Sequence, residues 1–226
     1  GKHVFSAYST ESGGELGLWN QDGTQVLRSF SDQRGGALQL HDNSGQMVLD
    51  AHTGRDGARL RLNARGNNAY MEHGIADQGG RIELTNGEGT PVIDVGPDSN
   101  GRGRLALTNS RGAIQWQAGV TERGGQMELF NVQTNRVAKM GVDTFGGRTT
   151  WFDRDGVPAA TCGLTGTGSA MEFMSPAGQT VADFGFDAAK GAGAMSLQTG
   201  GGATILSAGN VENAGGRLQV GNQSGQ

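Results

Sequence analysis

One phrase recurs through this chain, and its beat constrains the fold more than any single residue does. From Gly80 to Gly96 it reads GRIELTNGEGTPVIDVG, and variants of it fill the 226 residues about ten times. The first apolar position of each variant falls at Leu16, Leu38, Leu60, Ile82, Leu105, Met127, Thr149, Met171, Met195 and Leu218, in steps of 22, 22, 22, 23, 22, 22, 22, 24 and 23 residues. A fixed period in the range of roughly 20 to 50 residues marks solenoids, propellers or fibre arrays. The chain therefore reads as one continuous array over residues 1–226, with repeats starting near Gly14, Gly36, Gly57, Gly80, Gly103, Gly125, Gly147, Gly168, Gly193 and Gly216.

Two residues beyond each first apolar position lies a second: Leu18, Leu40, Leu62, Leu84, Leu107, Leu129, Trp151, Phe173, Leu197 and Val220. That alternation is the period of a strand with one apolar face. The residues expected to build the core are Leu16, Leu18, Leu38, Leu40, Leu60, Leu62, Ile82, Leu84, Leu105, Leu107, Met127 and Leu129. Next comes Asn or Asp, two polar residues and a glycine, as in Asn20 to Gly23. An Asx side chain bonds its own backbone two residues on, and glycine supplies the positive φ of a bulged hairpin. The turn glycines are Gly23, Gly45, Gly89, Gly112, Gly156, Gly178 and Gly225. In the sixth repeat Thr134-Asn135 stands instead, and Asn135 is expected to take the left-handed conformation. A second limb follows, at Val26-Leu27, Val48-Leu49 and Val92-Ile93, so each repeat is an antiparallel hairpin. Paired glycines such as Gly35-Gly36 and Gly146-Gly147 mark the corner to the next repeat. Looser corners are expected near residues 164–169 and Ala188 to Gly193.

With 42 glycines and no capped helical stripe, the chain is poorly suited to helix. A lone repeat has too few apolar side chains to offset the ordering of 22 residues, so repeats must stack on each other. The core residues are few, and the expectation is that several chains share one core, as an elongated β-solenoid-like shaft in an intertwined homotrimer. The sequence begins and ends in mid-phrase, which predicts a segment cut from a longer array.

Net charge is −4 with Arg and Asp scattered, which argues against nucleic acid as a partner. No apolar run approaches the length of a membrane span. Arg59, Arg81, Arg104, Arg148 and Arg217 precede first apolar positions, and Asp50, Glu72, Asp94 and Asp183 lie on second limbs, a pattern that predicts cross-strand or inter-chain ion pairs. His3, His41, His52 and His73 hold three different repeat positions without metal-ligand spacing, and Cys162 stands where other repeats have Ala51 or Val95. Asp98 to Gly101 and Asp153 to Gly156 resemble calcium loops faintly and read better as turns. The expectation is no metal, no cofactor and no catalytic residue. Trp19, Phe130 and Phe152, on the other side of the first limb, are candidates for inter-chain packing or for stacking on sugars. Leu84→Asp is expected to abolish assembly and Glu83→Lys to be tolerated.

The rhythm of GGALQLHDNSGQMVLDA and GGRIELTNGEGTPVIDVG resembles the glycine-rich repeat arrays of bacterial surface and stalk fibres, including those of planctomycetes, and the trimeric shafts of phage tail fibres. The resemblance implies an extracellular or cell-surface filament of mechanical or adhesive duty, with itself as partner and surface glycans as a second. The alternative is a glycan- or receptor-binding fibre module. Phe152-Asp153-Arg154-Asp155-Gly156 is similar to the YD repeats of toxin shells, but the recurrent Tyr-Asp pair is missing.

Overall fold

The computed structural model describes residues 4–54, 57–76, 79–188, 191–211 and 215–221, and among these every regular element is a β-strand. The chain divides into two compact units, Gly1–Ile114 and Gln115–Gln226. In the first, ten strands follow one another: β1 (Phe5–Thr10), β2 (Gly13–Trp19), β3 (Gln25–Asp32), β4 (Gly35–His41), β5 (Met47–Gly54), β6 (Gly57–Asn63), β7 (Tyr70–Ala76), β8 (Gly79–Thr85), β9 (Pro91–Pro97) and β10 (Gly103–Thr108). Each pairs antiparallel with the one before it. The second unit repeats the plan with β11 (Ile114–Thr121), β12 (Gly124–Phe130), β13 (Arg136–Val142), β14 (Gly147–Phe152), β15 (Pro158–Thr165), β16 (Gly168–Met174), β17 (Thr180–Asp187), β18 (Ala192–Gln198), β19 (Thr204–Val211) and β20 (Gly215–Val220). Here too each strand after β11 pairs antiparallel with its predecessor. The fold is all-β and built of hairpins, as the periodicity requires.

The register turns the sequence beat into rows. Leu18 faces Leu27, Leu27 faces Leu40, Leu40 faces Leu49, and the row runs on through Leu62, Met71, Leu84 and Ile93 to Leu107. A parallel row passes through Leu16, Ser29, Leu38, Ala51, Leu60, His73, Ile82, Val95 and Leu105. Side chains alternate across a strand, so both rows share one face. Between them, on the opposite face, runs a polar row: Arg28, Gln39, Asp50, Arg61, Glu72, Glu83 and Asp94.

The Asx turns are three-residue loops closed by backbone bonds. The Asn20 N–H donates to the Thr24 carbonyl at 2.9 Å and the Gly23 N–H to the Asn20 carbonyl at 3.0 Å. Asn20 Oδ1 accepts from the N–H groups of Asp22 and Thr24. The described turn glycines, Gly23, Gly45, Gly89, Gly112, Gly156 and Gly178, all have φ between +77° and +86°; Gly225 lies outside the described residues. The doublets such as Val26-Leu27 reflect a bulge: Leu18 faces Leu27 while Trp19 faces Gln25, so Val26 is the extra residue on its strand.

In the sixth repeat the left-handed residue is Thr134, at φ +68°, and not Asn135. The loop register decides this, since Thr134 donates its N–H to Asn131 as Gly23 does to Asn20. A β-branched residue is poorly suited to this region, which costs roughly 1–2 kcal/mol for an L-residue. Thr134→Gly is expected to stabilise the chain by about 1 kcal/mol, read as a raised denaturation midpoint. An unchanged or lowered midpoint would remove the strain.

Length variation is confined to one kind of turn. Across the Asx turns the paired apolar residues are always nine apart, as in Leu18 with Leu27 and Trp151 with Ala160. At the glycine corners the spacing is nine from Ser29 to Leu38, ten from Val95 to Leu105, eleven from Phe184 to Met195 and ten from Ala208 to Leu218. These corners absorb every departure from the 22-residue beat, and the rows stay in register. The corner at 164–169 is not loose, since Leu164 pairs with Ser169 and Thr165 with Gly168. The corner after Asp187 is longer, with part of it outside the described residues.

Glycine in the strands serves close approach. A Cβ at Gly163 would come within 2.6 Å of the Gly147 carbonyl, and one at Gly185 within 2.7 Å of the Ser169 carbonyl. Gly163 pairs with Arg148 and Gly96 with Arg104, so these glycines lie beside large cross-strand neighbours on the polar face.

Candidate assembly face

The two faces of these strands are covered very differently. The residues buried in the described chain are Gly17, Asp50, Thr85, Ala106, Glu128 and Thr161, and their places in the register put all of them on the polar face. Ala106 is the one buried hydrophobic residue among those described, and no large side chain is fully buried.

The polar face is covered because its side chains lie along it and pair with each other. Arg28 donates from Nε and Nη2 to the two carboxylate oxygens of Glu15 at 2.9 Å each, and its guanidinium stacks 4.2 Å above the Phe30 ring. This bond holds the Glu15 carboxyl below its usual range, and Glu15 in turn pushes the Tyr8 hydroxyl up. Tyr70 donates to Glu83 at 2.6 Å beneath the Arg61 guanidinium, and Arg81 reaches Glu83 and Asp94 at 2.8 Å each. Arg59 lies 3.8 Å from Asp50 and 3.6 Å from Glu72. A trough of about 790 Å³ on this face of the first unit is walled by Asp50, Arg59, Glu72, Arg81 and Glu83, whose charges are engaged with one another. The sequence marked these charges as candidate ion pairs, and those of Arg59, Arg81 and Arg148 are formed within the chain. Glu83 is held by two partners, so Glu83→Lys disrupts a network and is not the neutral change that its outward position suggests.

The apolar face has no such cover. Of the twelve residues expected to form a core, Leu38, Leu60, Leu62, Ile82, Leu107 and Leu129 are each 36–39% exposed, and Leu16, Leu18, Leu40, Leu84, Leu105 and Met127 are half-buried. In the second unit Met140, Trp151, Phe173 and Phe184 are exposed on the same face. In register within each unit, these side chains make a surface, and within a unit they do not make an interior.

The other candidates resolve into structure. Trp19 fills the space that a Cβ on Gly17 would take, and Phe152 lies under the Arg136 guanidinium at 5.6 Å, so both rings are engaged on the polar face. Asp98 Oδ1 accepts from the N–H groups of Asn100 and Arg102, and Asp153 Oδ1 from those of Asp155 and Val157. These carboxylates cap turns. Cys162 is exposed on the apolar face between Thr149 and Met171. His52 sits 3.1 Å from Asp50, and His73 lies in an apolar row between Leu60 and Ile82; His3 lies outside the described residues. Among the described residues no group of three His, Cys, Asp or Glu side chains is placed to hold a metal, and no helix is long and apolar enough to cross a membrane.

Three aspartates in turns carry a pH signature. The Ser44 hydroxyl holds the Asp42 carboxyl below its ordinary 3.8, the Arg102 N–H does the same to Asp98, and the Phe145 N–H to Asp143. A carboxyl depressed in the folded state contributes stability above its unfolded pKa and loses it as pH falls through the folded value. Thermal stability is therefore expected to hold down to about pH 4 and then decline. Asp42→Asn, Asp98→Asn and Asp143→Asn together keep the turn acceptor, as Asn20 and Asn86 do, and should flatten that decline. An unaltered acid limb in the triple variant would contradict this origin.

Neither a protein-family model nor a curated protein matches the chain.

Proposed function

We propose that the chain is a structural subunit of an extracellular filament, stalk or surface fibre, and that copies of itself cover its apolar face. The observation that carries this reading is the continuous apolar face, in register through each unit and left bare by the chain's own residues. Exposed apolar area on this scale marks an interaction surface. A partner that matches it over many strands must present apolar rungs at the strand spacing of about 4.8 Å, and another copy of the same array does so. In the trimeric fibre shafts that the repeats resemble, three chains share one core in this way.

The role is mechanical. Backbone pairing runs from strand to strand, the polar face is internally bonded, and the glycine corners admit small length changes without loss of register. The glycan- or receptor-binding reading is the weaker one, because Trp19 and Phe152 are already engaged within the chain. Electron cryo-microscopy of native material tests the proposal. Multi-chain filaments with an axial repeat of one hairpin, about 9.6 Å, are the expected result. Discrete single-chain particles would overturn it.

A further inference from the structure

The apolar face has a third row, and the order of sizes along each strand says how copies seat on each other. Two residues beyond the rows through Leu18 and Leu16, at the glycine corners, Ser31 pairs with Gly36, Thr53 with Ala58 and Val142 with Gly147. In the first unit the strands are large at the Asx-turn end and small at the corner end: Leu27 against Ser31 on β3, Leu40 against Gly36 on β4, Leu84 against Gly80 on β8. In the second unit the first limbs keep this order, as Trp151 against Gly147 on β14. The second limbs there reverse it, with Ala138 against Val142 on β13 and Ala160 against Leu164 on β15. β7, β9 and β11 depart from the order, since Met71 and Ile75, Ile93 and Pro97, and Trp116 and Val120 are bulky at both ends. The other strands from β2 to β18 each carry one larger end and one smaller. The corner glycines among these are not demanded by the chain itself. A Cβ at Gly36, Gly103, Gly125 or Gly147 would meet no non-neighbouring atom within 4 Å, and none of the four has a positive φ.

Facing sheets fill their shared layer when large residues lie over small ones. Aligned copies can be related by an axis along the strands or by an axis across them, and the two choices treat the strand ends differently. An axis along the strands lays Asx-turn end on Asx-turn end. In the first unit the turn-end row is then Leu, Met or Ile against itself throughout, while Gly36 and its small neighbours face one another across a gap; overpacking and cavities both destabilise. An axis across the strands lays the Asx-turn end of each strand over the corner end of the same strand in the next copy, so that large meets small. We infer that within each unit the copies lie parallel and in register, related by rotation about an axis that crosses the strands. The inference rests on the reading that copies of the chain cover this face, and it holds for two copies or for three.

This arrangement puts Leu84 of one copy over Gly80 of the next, Trp151 over Gly147 and Leu164 over Ala160. Val142, Leu164 and Phe186, which stand 45–48% exposed, are covered by it although they lie on second limbs. The middle row falls nearest the axis, where each residue meets its own counterpart. In the second unit Met127, Met140 and Met171 hold that place, and the unbranched thioether side chain adapts to such a contact. Because the rotation closes, every seam repeats the same contacts.

The test is cross-linking of the full chain with a short bismaleimide at single cysteines along the middle row, in a Cys162→Ser background, with sedimentation run on the same samples. Leu16→Cys, Leu38→Cys, Leu60→Cys and Ile82→Cys are each expected to join copies, in comparable yield, because every strand lies beside its own counterpart. Linking confined to one or two of these strands would show copies running in opposite directions and overturn the inference. No linking in a chain that sediments as an oligomer would also overturn it and leave self-assembly standing, whereas a chain that sediments as a monomer would remove self-assembly itself. A second pair of variants reads the strand ends. Gly80→Leu is expected to weaken association about tenfold by overpacking the seam, and adding Leu84→Ala to restore most of that loss. A double variant that associates no better than Gly80→Leu alone would show that the two ends do not meet.

Discussion

Leu84→Asp is expected to leave the chain monomeric while its strands remain formed. Leu84 lies between Met71 and Ile93 in an apolar row, on the face that the chain itself leaves bare. In the monomer the new carboxylate meets solvent at a half-buried position, and the cost to the isolated fold is small. Once a second face closes over it, the same group is an unpaired charge removed from water, which costs several kcal/mol. Since 1.4 kcal/mol is a factor of ten, a cost of about 4 kcal/mol should weaken association by roughly 700-fold. Circular dichroism read beside sedimentation separates the two effects. Retained β signal with lost association is the expected pair; retained association would show that this face is not the one that closes.

Arg136→Ala is expected to destabilise the chain by about 3 kcal/mol, the larger of the two effects on folding itself. Glu128 is only 3% exposed and lies on the polar face of β12. Its Oε1 contacts Arg136 Nε at 2.8 Å, as an ion pair outside hydrogen-bond alignment, and its Oε2 accepts from Gln117. Removing the guanidinium leaves a buried carboxylate with one neutral donor, and breaking a buried pair from one side costs roughly 3–5 kcal/mol. Gln117 and the cross-strand neighbour Lys139 set the expectation at the low end. Adding Glu128→Gln to Arg136→Ala removes the stranded charge and should recover most of the loss. If the double variant is as unstable as the single one, the penalty comes from lost packing of the arginine stem on Phe152 and not from the charge.

Much of the hairpin plan is legible in the residues. The 22-residue beat, the alternation at Leu16 and Leu18, and the Asx-to-glycine spacing at Asn20 and Gly23 each follow from local stereochemistry, and the strands and turns fall where these signals put them. The assignment of the left-handed residue at Thr134 was harder, because propensity favours Asn135 and only the loop register places the preceding residue there. The bulge at Val26 was half visible: the apolar doublet breaks a strict alternation, but the pairing that makes one residue extra belongs to two strands together.

The side of the sheet that is covered was not legible. Alternation shows that Leu38 and Leu60 share a face, and the ordinary inference from a shared apolar face is a core. What reverses it is the length of the polar side chains opposite. Arg28, Arg59 and Arg81 lie along the sheet and shield their carboxylate partners, whereas Leu38 and Leu60 project from a face that the strands of their own unit leave exposed. Periodicity locates the two faces, and only the three-dimensional arrangement shows which one still lacks a partner.

The central claim is that the bare face is closed by copies of the chain, and sedimentation equilibrium of the unmodified chain tests it most directly. A mass at a whole multiple of 23.4 kDa across the micromolar range is the predicted result, and Leu84→Asp should bring it down to 23.4 kDa. A single-chain mass for the unmodified protein at those concentrations would contradict the account, because the face would then be stable against water by itself.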